Sequence, residues 1–273
     1  MSIDEIGDIE RAVEQLRQVL PDPFELRSKA DVFFKSSIAQ KLIAGGEHSS
    51  SLLVGFLESN PEPALARPAV LLLSQFGPVA FYPKLLSLIE KADRSMIEAF
   101  DAGLWFVHVP ETQIARDLVG IVLSSGNPDP LLLLQRPVAK AVRSELKGFV
   151  NERRMPLSLY ALYCYRYALE QEDIPFLSVV SKWIDVPELS ALAGLYLLKL
   201  GSTKGLLGIR AGLLSPNEQL RTLTYYELSE YLPRTAVTQS NYDPVNPGDV
   251  HQAAIDVLLE HVGAASSCGE VES

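Results

Sequence analysis
Apolar residues recur at three- and four-residue steps along nearly the whole chain. Ile3, Ile6, Ile9, Val13, Leu16 and Leu20 trace one face of a first helix. Pro21 and Pro23 end it, and a second helical segment is predicted from Phe24 to Ala44, stopped by Gly45-Gly46. Ser49 to Ser51 can cap a short helix through Leu57. From Pro61 the chain becomes rhythmic, with helices of roughly 12 to 16 residues separated by Pro, Gly, Asn or Asp. The pattern predicts helices near 63–76, 79–92, 95–107, 111–125, 128–135, 137–151, 157–170, 173–184, 188–200, 203–213, 217–231 and 250–262. Alternating β-branched runs are absent, so the predicted class is all-α with no sheet.

The rhythm has a period. Stepping by 31 residues from Phe76 meets Val107, Val138, Leu169, Leu200 and Tyr231, all apolar. The same step from Ala69 meets Phe100, Leu131, Leu162 and Ala193, and breaks polarity only at Thr224. Phe76-Gly77 and Leu200-Gly201 each close a helix with Gly. Pro83 and Pro175 each stand near the start of the helix that follows, where the missing N–H costs nothing.

Two stretches carry a family resemblance. Leu72-Leu73-Ser74-Gln75-Phe76-Gly77 followed by Tyr82-Pro83-Lys84-Leu85-Leu86-Ser87-Leu88-Ile89 resembles a HEAT-type (armadillo-type) α-helical repeat. Leu195-Tyr196-Leu197-Leu198-Lys199-Leu200-Gly201 followed by Gly205-Leu206-Leu207-Gly208-Ile209 resembles it again. The resemblance covers about residues 61–232. The unit near 126–156 departs from it, with a short Leu-rich first helix and an interruption at Pro137. The resemblance implies an α-solenoid of stacked antiparallel helix pairs, in which each pair buries the apolar face of the next. On that reading residues 1–262 form a single repeat domain, with 1–60 as its helical N-terminal end and 250–262 as a capping helix. Residues 263–273 are expected to be a disordered tail. The inner wall is expected from the second helix of each pair, with Lys84, Ser87, Glu90, Arg116, Ser178 and Lys182 facing inward.

Composition narrows the function classes. The chain has 273 residues and a net charge of −10. That balance argues against nonspecific binding of nucleic acid or anionic lipid, and favours either a basic protein partner or solubility alone. No run of 18 uncharged apolar residues occurs, so no membrane span is predicted. Two cysteines make no disulfide framework, and the expected location is the cytoplasm. His48, His108, His251 and His261 show no metal-ligand spacing, and no Gly-x-Ser-x-Gly, P-loop or dinucleotide motif occurs. The sequence therefore gives no catalytic residue, no metal site and no cofactor. Cys164, inside an aromatic stretch, is expected to be a buried inert thiol.

Two clusters are candidate partner-binding surfaces. Lys140, Arg143 and Lys147 fall at i, i+3 and i+7 of the predicted helix 137–151 and would form one basic stripe, with Arg136, Arg153 and Arg154 nearby. Tyr160, Tyr163, Tyr165 and Tyr167, with Arg166, form an aromatic cluster. Tyr163, Tyr167 and Arg166 are its candidate contacts, while Tyr165 points elsewhere. Tyr225, Tyr226 and Tyr231 form a weaker echo. In the irregular stretch 234–249, Tyr242 is the one large anchor. The expected function is a non-catalytic protein-interaction module that binds through a concave surface, for instance as an inhibitor or immunity protein of a basic partner. The alternative is an enzyme on a HEAT-like frame, such as a bilin lyase or a DNA glycosylase.

Overall fold
Proline and short polar caps set where the helices begin. The computed structural model describes residues 3–20, 26–76, 78–232, 237–238, 240–245 and 251–269. Those residues are all-α, with no strand among them. The chain divides into two compact units, Met1–Glu145 and Leu146–Ser273.

The first unit contains α1 (Ile3–Arg17), α2 (Leu26–Phe34), α3 (Ser37–Ala44), α4 (Gly46–Glu58), α5 (Pro63–Leu73), α6 (Pro78–Lys91), α7 (Arg94–Leu104) and α8 (Glu111–Ser125). Two 3₁₀ helices follow, Asp129–Leu134 and Pro137–Val142. The single segment predicted over 24–44 is two helices, because Ser36 accepts the Ala39 N–H at 3.3 Å and starts α3 afresh. The predicted helix 137–151 is also broken. Pro137 opens a tight 3₁₀ segment, and α9 (Arg143–Asn151) begins only after it.

Packing here skips one element. α5 lies on α7, and α7 lies on the 3₁₀ helix Asp129–Leu134. In a second row α4 meets α6, α6 meets α8, and α8 meets Pro137–Val142. α5 is the most deeply buried, with Ala66 and every residue from Pro68 to Leu73 inside. α7 approaches it closely at Gly103, where an added Cβ would stand 2.4 Å from the Val70 carbonyl oxygen. Across the second row the Tyr82 hydroxyl donates to Asp117 at 2.8 Å. Burial and that carboxylate push the Tyr82 phenol well above its ordinary range.

The second unit contains most of α9, then α10 (Leu157–Tyr165), α11 (Ile174–Val180), α12 (Pro187–Lys199), α13 (Leu206–Leu213), α14 (Glu218–Ser229) and α15 (His251–Gly269). α12 is buried continuously from Leu189 to Leu198 and packs against α10, α11, α13 and α14. Small residues bring α13 close, and a Cβ on Gly208 would stand 2.1 Å from the Ser190 carbonyl oxygen. α15 continues past the predicted end at 262, through Ala264 and Ala265, which are strong helix formers. Residues 270–273 lie outside the described residues.

The 31-residue step from Ala69 has a structural counterpart, whereas of the step from Phe76 only Val107 is buried. Ala69, Phe100, Leu131, Leu162, Ala193, Thr224 and Ile255 are all at most 2% exposed. Thr224 keeps the phase despite its hydroxyl, because that group donates to the Leu220 carbonyl at 2.7 Å. The element that carries each of the first six ends at Leu73, Leu104, Leu134, Tyr165, Lys199 and Ser229, spacings of 31, 30, 31, 34 and 30 residues. Helices packed on near neighbours with this spacing are compatible with a helical repeat.

Close helix approach makes a direct prediction. Gly103→Ala and Gly208→Ala should each cost roughly 1–3 kcal/mol, since the new methyl meets backbone that cannot swing away. Gly120→Ala in α8, which faces open space, should instead stabilise by about 0.5–1 kcal/mol. Urea denaturation of the three variants checks both signs.

Candidate functional site
In the first unit a cleft of about 560 Å³ opens between α5, α7 and the segment around Asp129–Leu134. Arg67, Arg94 and Arg136 line it, with Glu98, Asp101 and Gln135, over Ile97, Leu132 and Leu133. The 3₁₀ helix has six residues where α5 and α7 each have eleven, and the shorter element leaves volume that a full helix would fill. Asp101 organises one wall. Its carboxylate accepts two bonds from Arg136 Nη2, at 2.7 and 2.9 Å, and one from Trp105 Nε1 at 2.9 Å. The Arg136 guanidinium lies 4.7 Å from the Trp105 ring centre.

In the second unit a concavity of about 460 Å³ runs along α14. Glu218, Gln219, Thr222, Leu223, Tyr226, Glu227 and Glu230 line it, and no basic residue is among them. Tyr226 is 63% exposed, unusual for so large a ring. It is held edge-on by Tyr225 at 5.7 Å, and Tyr225 in turn packs on Tyr242 at 5.2 Å. Beneath this surface the Tyr196 hydroxyl is buried with no hydrogen-bond partner. Burial pushes its phenol well up, while Arg166 pulls the other way and Tyr163, Cys164 and Glu227 reinforce the rise.

The sequence-selected residues divide between these settings. Of the expected basic stripe, Lys140 lies on the 3₁₀ segment Pro137–Val142, while Arg143 and Lys147 share α9 one turn apart. Lys140 is exposed on the 3₁₀ segment, Arg143 is half-buried at the start of α9, and both belong to the first unit. Lys147 belongs to the second unit and is committed internally. Its ammonium lies 2.8 Å from Asp173, 5.8 Å from the Tyr165 ring centre and 5.3 Å from that of Phe176. Asp173 is fully buried, accepts the Tyr165 hydroxyl, and takes the Glu170 N–H at 2.8 Å. Tyr165, expected to point away from the cluster's shared face, is therefore the ring at the centre of a buried network. A Gln-Glu-Asp turn gives no sequence signal of burial, and only the fold brings Lys147 to it.

Of the aromatic candidates, Tyr163 is half-buried, Arg166 is half-buried over the Tyr167 ring at 5.6 Å, and Tyr167 is 37% exposed. Arg166 and Glu227 both act electrostatically on Tyr196 and on Tyr231, which places the C-terminal end of α10 near the face of α14. Tyr242 is an internal strut and is only 6% exposed. Its hydroxyl donates to the Leu213 carbonyl at 2.7 Å. Of the residues expected on the wall of second helices, Lys84, Ser87, Glu90, Arg116 and Lys182 are exposed, and none of them lines either concavity.

Burial also pushes the Cys164 thiol up, which disfavours the reactive thiolate. Among the described residues no group of three His, Cys, Asp or Glu side chains is placed to hold a metal ion. No helix among them is long and apolar enough to cross a membrane. Compared with protein-family models, curated proteins and solved structures, the chain matches none.

Two measurements test this electrostatic assignment. Asp173→Asn should destabilise by roughly 2–4 kcal/mol, because it strips the counter-charge from Lys147 and weakens the Tyr165 bond. Asp173→Asn with Lys147→Met should recover part of that loss in urea titrations. Burial pushes the Tyr242 phenol up to about 12, so the folded state holds its proton where the unfolded chain has released it. Its contribution is complete below the ordinary tyrosine pKa and is lost as pH rises through the folded value. Tyr242→Phe should therefore narrow its stability gap to the parent as pH rises above 10 towards about 12, read as urea midpoints across that range.

Proposed function
We propose that the protein is a non-catalytic protein-interaction module of HEAT-like helix pairs whose partner presents a lysine- or arginine-rich surface. The observation that carries this reading is the α14 face, where exposed Tyr226 stands among Glu218, Glu227 and Glu230. Such a face offers a partner two kinds of contact. An aromatic ring gives rigid area and a cation–π surface for an incoming ammonium or guanidinium. The surrounding carboxylates steer a basic surface in and align it. The overall charge of −10 acts in the same direction at longer range.

The 31-residue spacing supports the HEAT-like part of the reading, since stacked helix pairs of similar length expose a continuous row of side chains to a macromolecule. A partner whose own activity depends on its basic surface would be inhibited by the same contact. This is the form that an immunity protein takes.

The test is a labelled lysine-rich peptide read by fluorescence anisotropy. Binding should weaken roughly tenfold or more in Glu218→Lys/Glu227→Lys/Glu230→Lys, and by several-fold in Tyr226→Ala. Glu10→Lys/Asp31→Lys/Glu47→Lys changes the net charge equally on other exposed residues and should leave binding near the parent value. Equal losses in the two triple variants would reduce the effect to net charge and overturn the assignment to α14.

A further inference from the structure
The arginine cleft of the first unit is independent of that reading, and its chemistry is opposite. Arg67 is half-buried on α5 and makes no ion pair among the described residues. Partial desolvation strengthens the attraction of such a guanidinium for any anion that reaches it. Arg136 stands on another wall with its position already fixed. Both of its bonds to Asp101 come from Nη2, so the Nη1 and Nε edges keep their donors for a second acceptor. Stacking on Trp105 holds the plane of the fork. Arg94 adds a third guanidinium from the start of α7 and acts electrostatically on Asp129.

From these observations we propose that the cleft binds a small organic molecule bearing a phosphate group or phosphate chain. Three guanidiniums from three elements suit an anion with several oxygens in three dimensions, whereas one planar carboxylate saturates a single fork. Asp101 is committed to Arg136 and Trp105, which leaves Glu98 as the one uncommitted carboxylate on the wall. Glu98 would accept a hydroxyl or amine of the ligand. Ile97 and Leu133 are buried beneath and supply an apolar floor for its organic body. The volume of about 560 Å³ lies within the range of small-molecule sites, roughly 300–1,000 Å³.

Pyrophosphate serves as the probe on the full chain, read by titration calorimetry and by tryptophan emission in a Trp183→Phe background. Trp105 then reports alone, and its contact with Arg136 should change the emission when the anion binds. The expected result is a dissociation constant below about 1 mM, weakened roughly tenfold or more by Arg67→Ala and less by Arg67→Lys, with urea midpoints of both variants unchanged. Citrate and hexaglutamate at matched ionic strength should bind at least roughly tenfold more weakly than pyrophosphate. The proposal fails if pyrophosphate does not bind, or if Arg67→Ala leaves its affinity unaltered. It fails also if citrate or hexaglutamate binds as tightly through Arg67, since the cleft would then read carboxylates or an acidic protein segment.

Discussion

The burial of one position in every 31 is the constraint on which the rest of the structure depends. A short helix cannot hide its apolar face alone, and in the first unit α5 is covered by α7 and α7 by the 3₁₀ helix Asp129–Leu134, each two elements further along the chain. Phe100 and its counterparts sit at that seam. The seam fixes helix length and spacing, and these decide where polar side chains can remain at the surface. Beside α7 the six-residue 3₁₀ helix Asp129–Leu134 borders a cleft. In the second unit α14 carries an outer face that is acidic and aromatic.

Polar groups that enter the interior are paired for the same reason. Arg221 is buried and donates to the carbonyls of Ser215, Pro216 and Pro244, each at 2.9 Å. Asp173 is buried with Lys147 and Tyr165. These bonds tie irregular segments to helices, where continuous apolar packing is not available. The Tyr196 hydroxyl is the exception among the described residues. It lies within electrostatic reach of Arg166 and Glu227.

The fold class and the spacing were legible in the sequence because burial demands residue type. An inward position must be apolar, or must satisfy its own polar atom as Thr224 does, and Pro and Gly mark helix ends by backbone geometry alone. What was illegible depended on partners distant in sequence. The basic stripe of Lys140, Arg143 and Lys147 reads as lying on one helix, but Lys140 lies on a 3₁₀ segment opened by Pro137, and Lys147 pairs with buried Asp173. Tyr242 read as an outward anchor because its loop is polar, yet its ring packs on Tyr225 and its hydroxyl ties to Leu213. Arg67, Arg94 and Arg136 are separated by long stretches of chain, and only the stacking of α5, α7 and the following 3₁₀ helix gathers them.

Native-state hydrogen exchange on Phe100→Ala tests this account most directly. Removing the ring leaves a cavity at one seam, worth roughly 3–5 kcal/mol, whose effect should spread only to adjoining elements. The account predicts that protection falls in α5, α7 and Asp129–Leu134 while the amides of α3, which do not adjoin the seam, keep theirs. An equal loss in α3 would mean that the unit rests on one shared nucleus, and would contradict the stepwise packing described here.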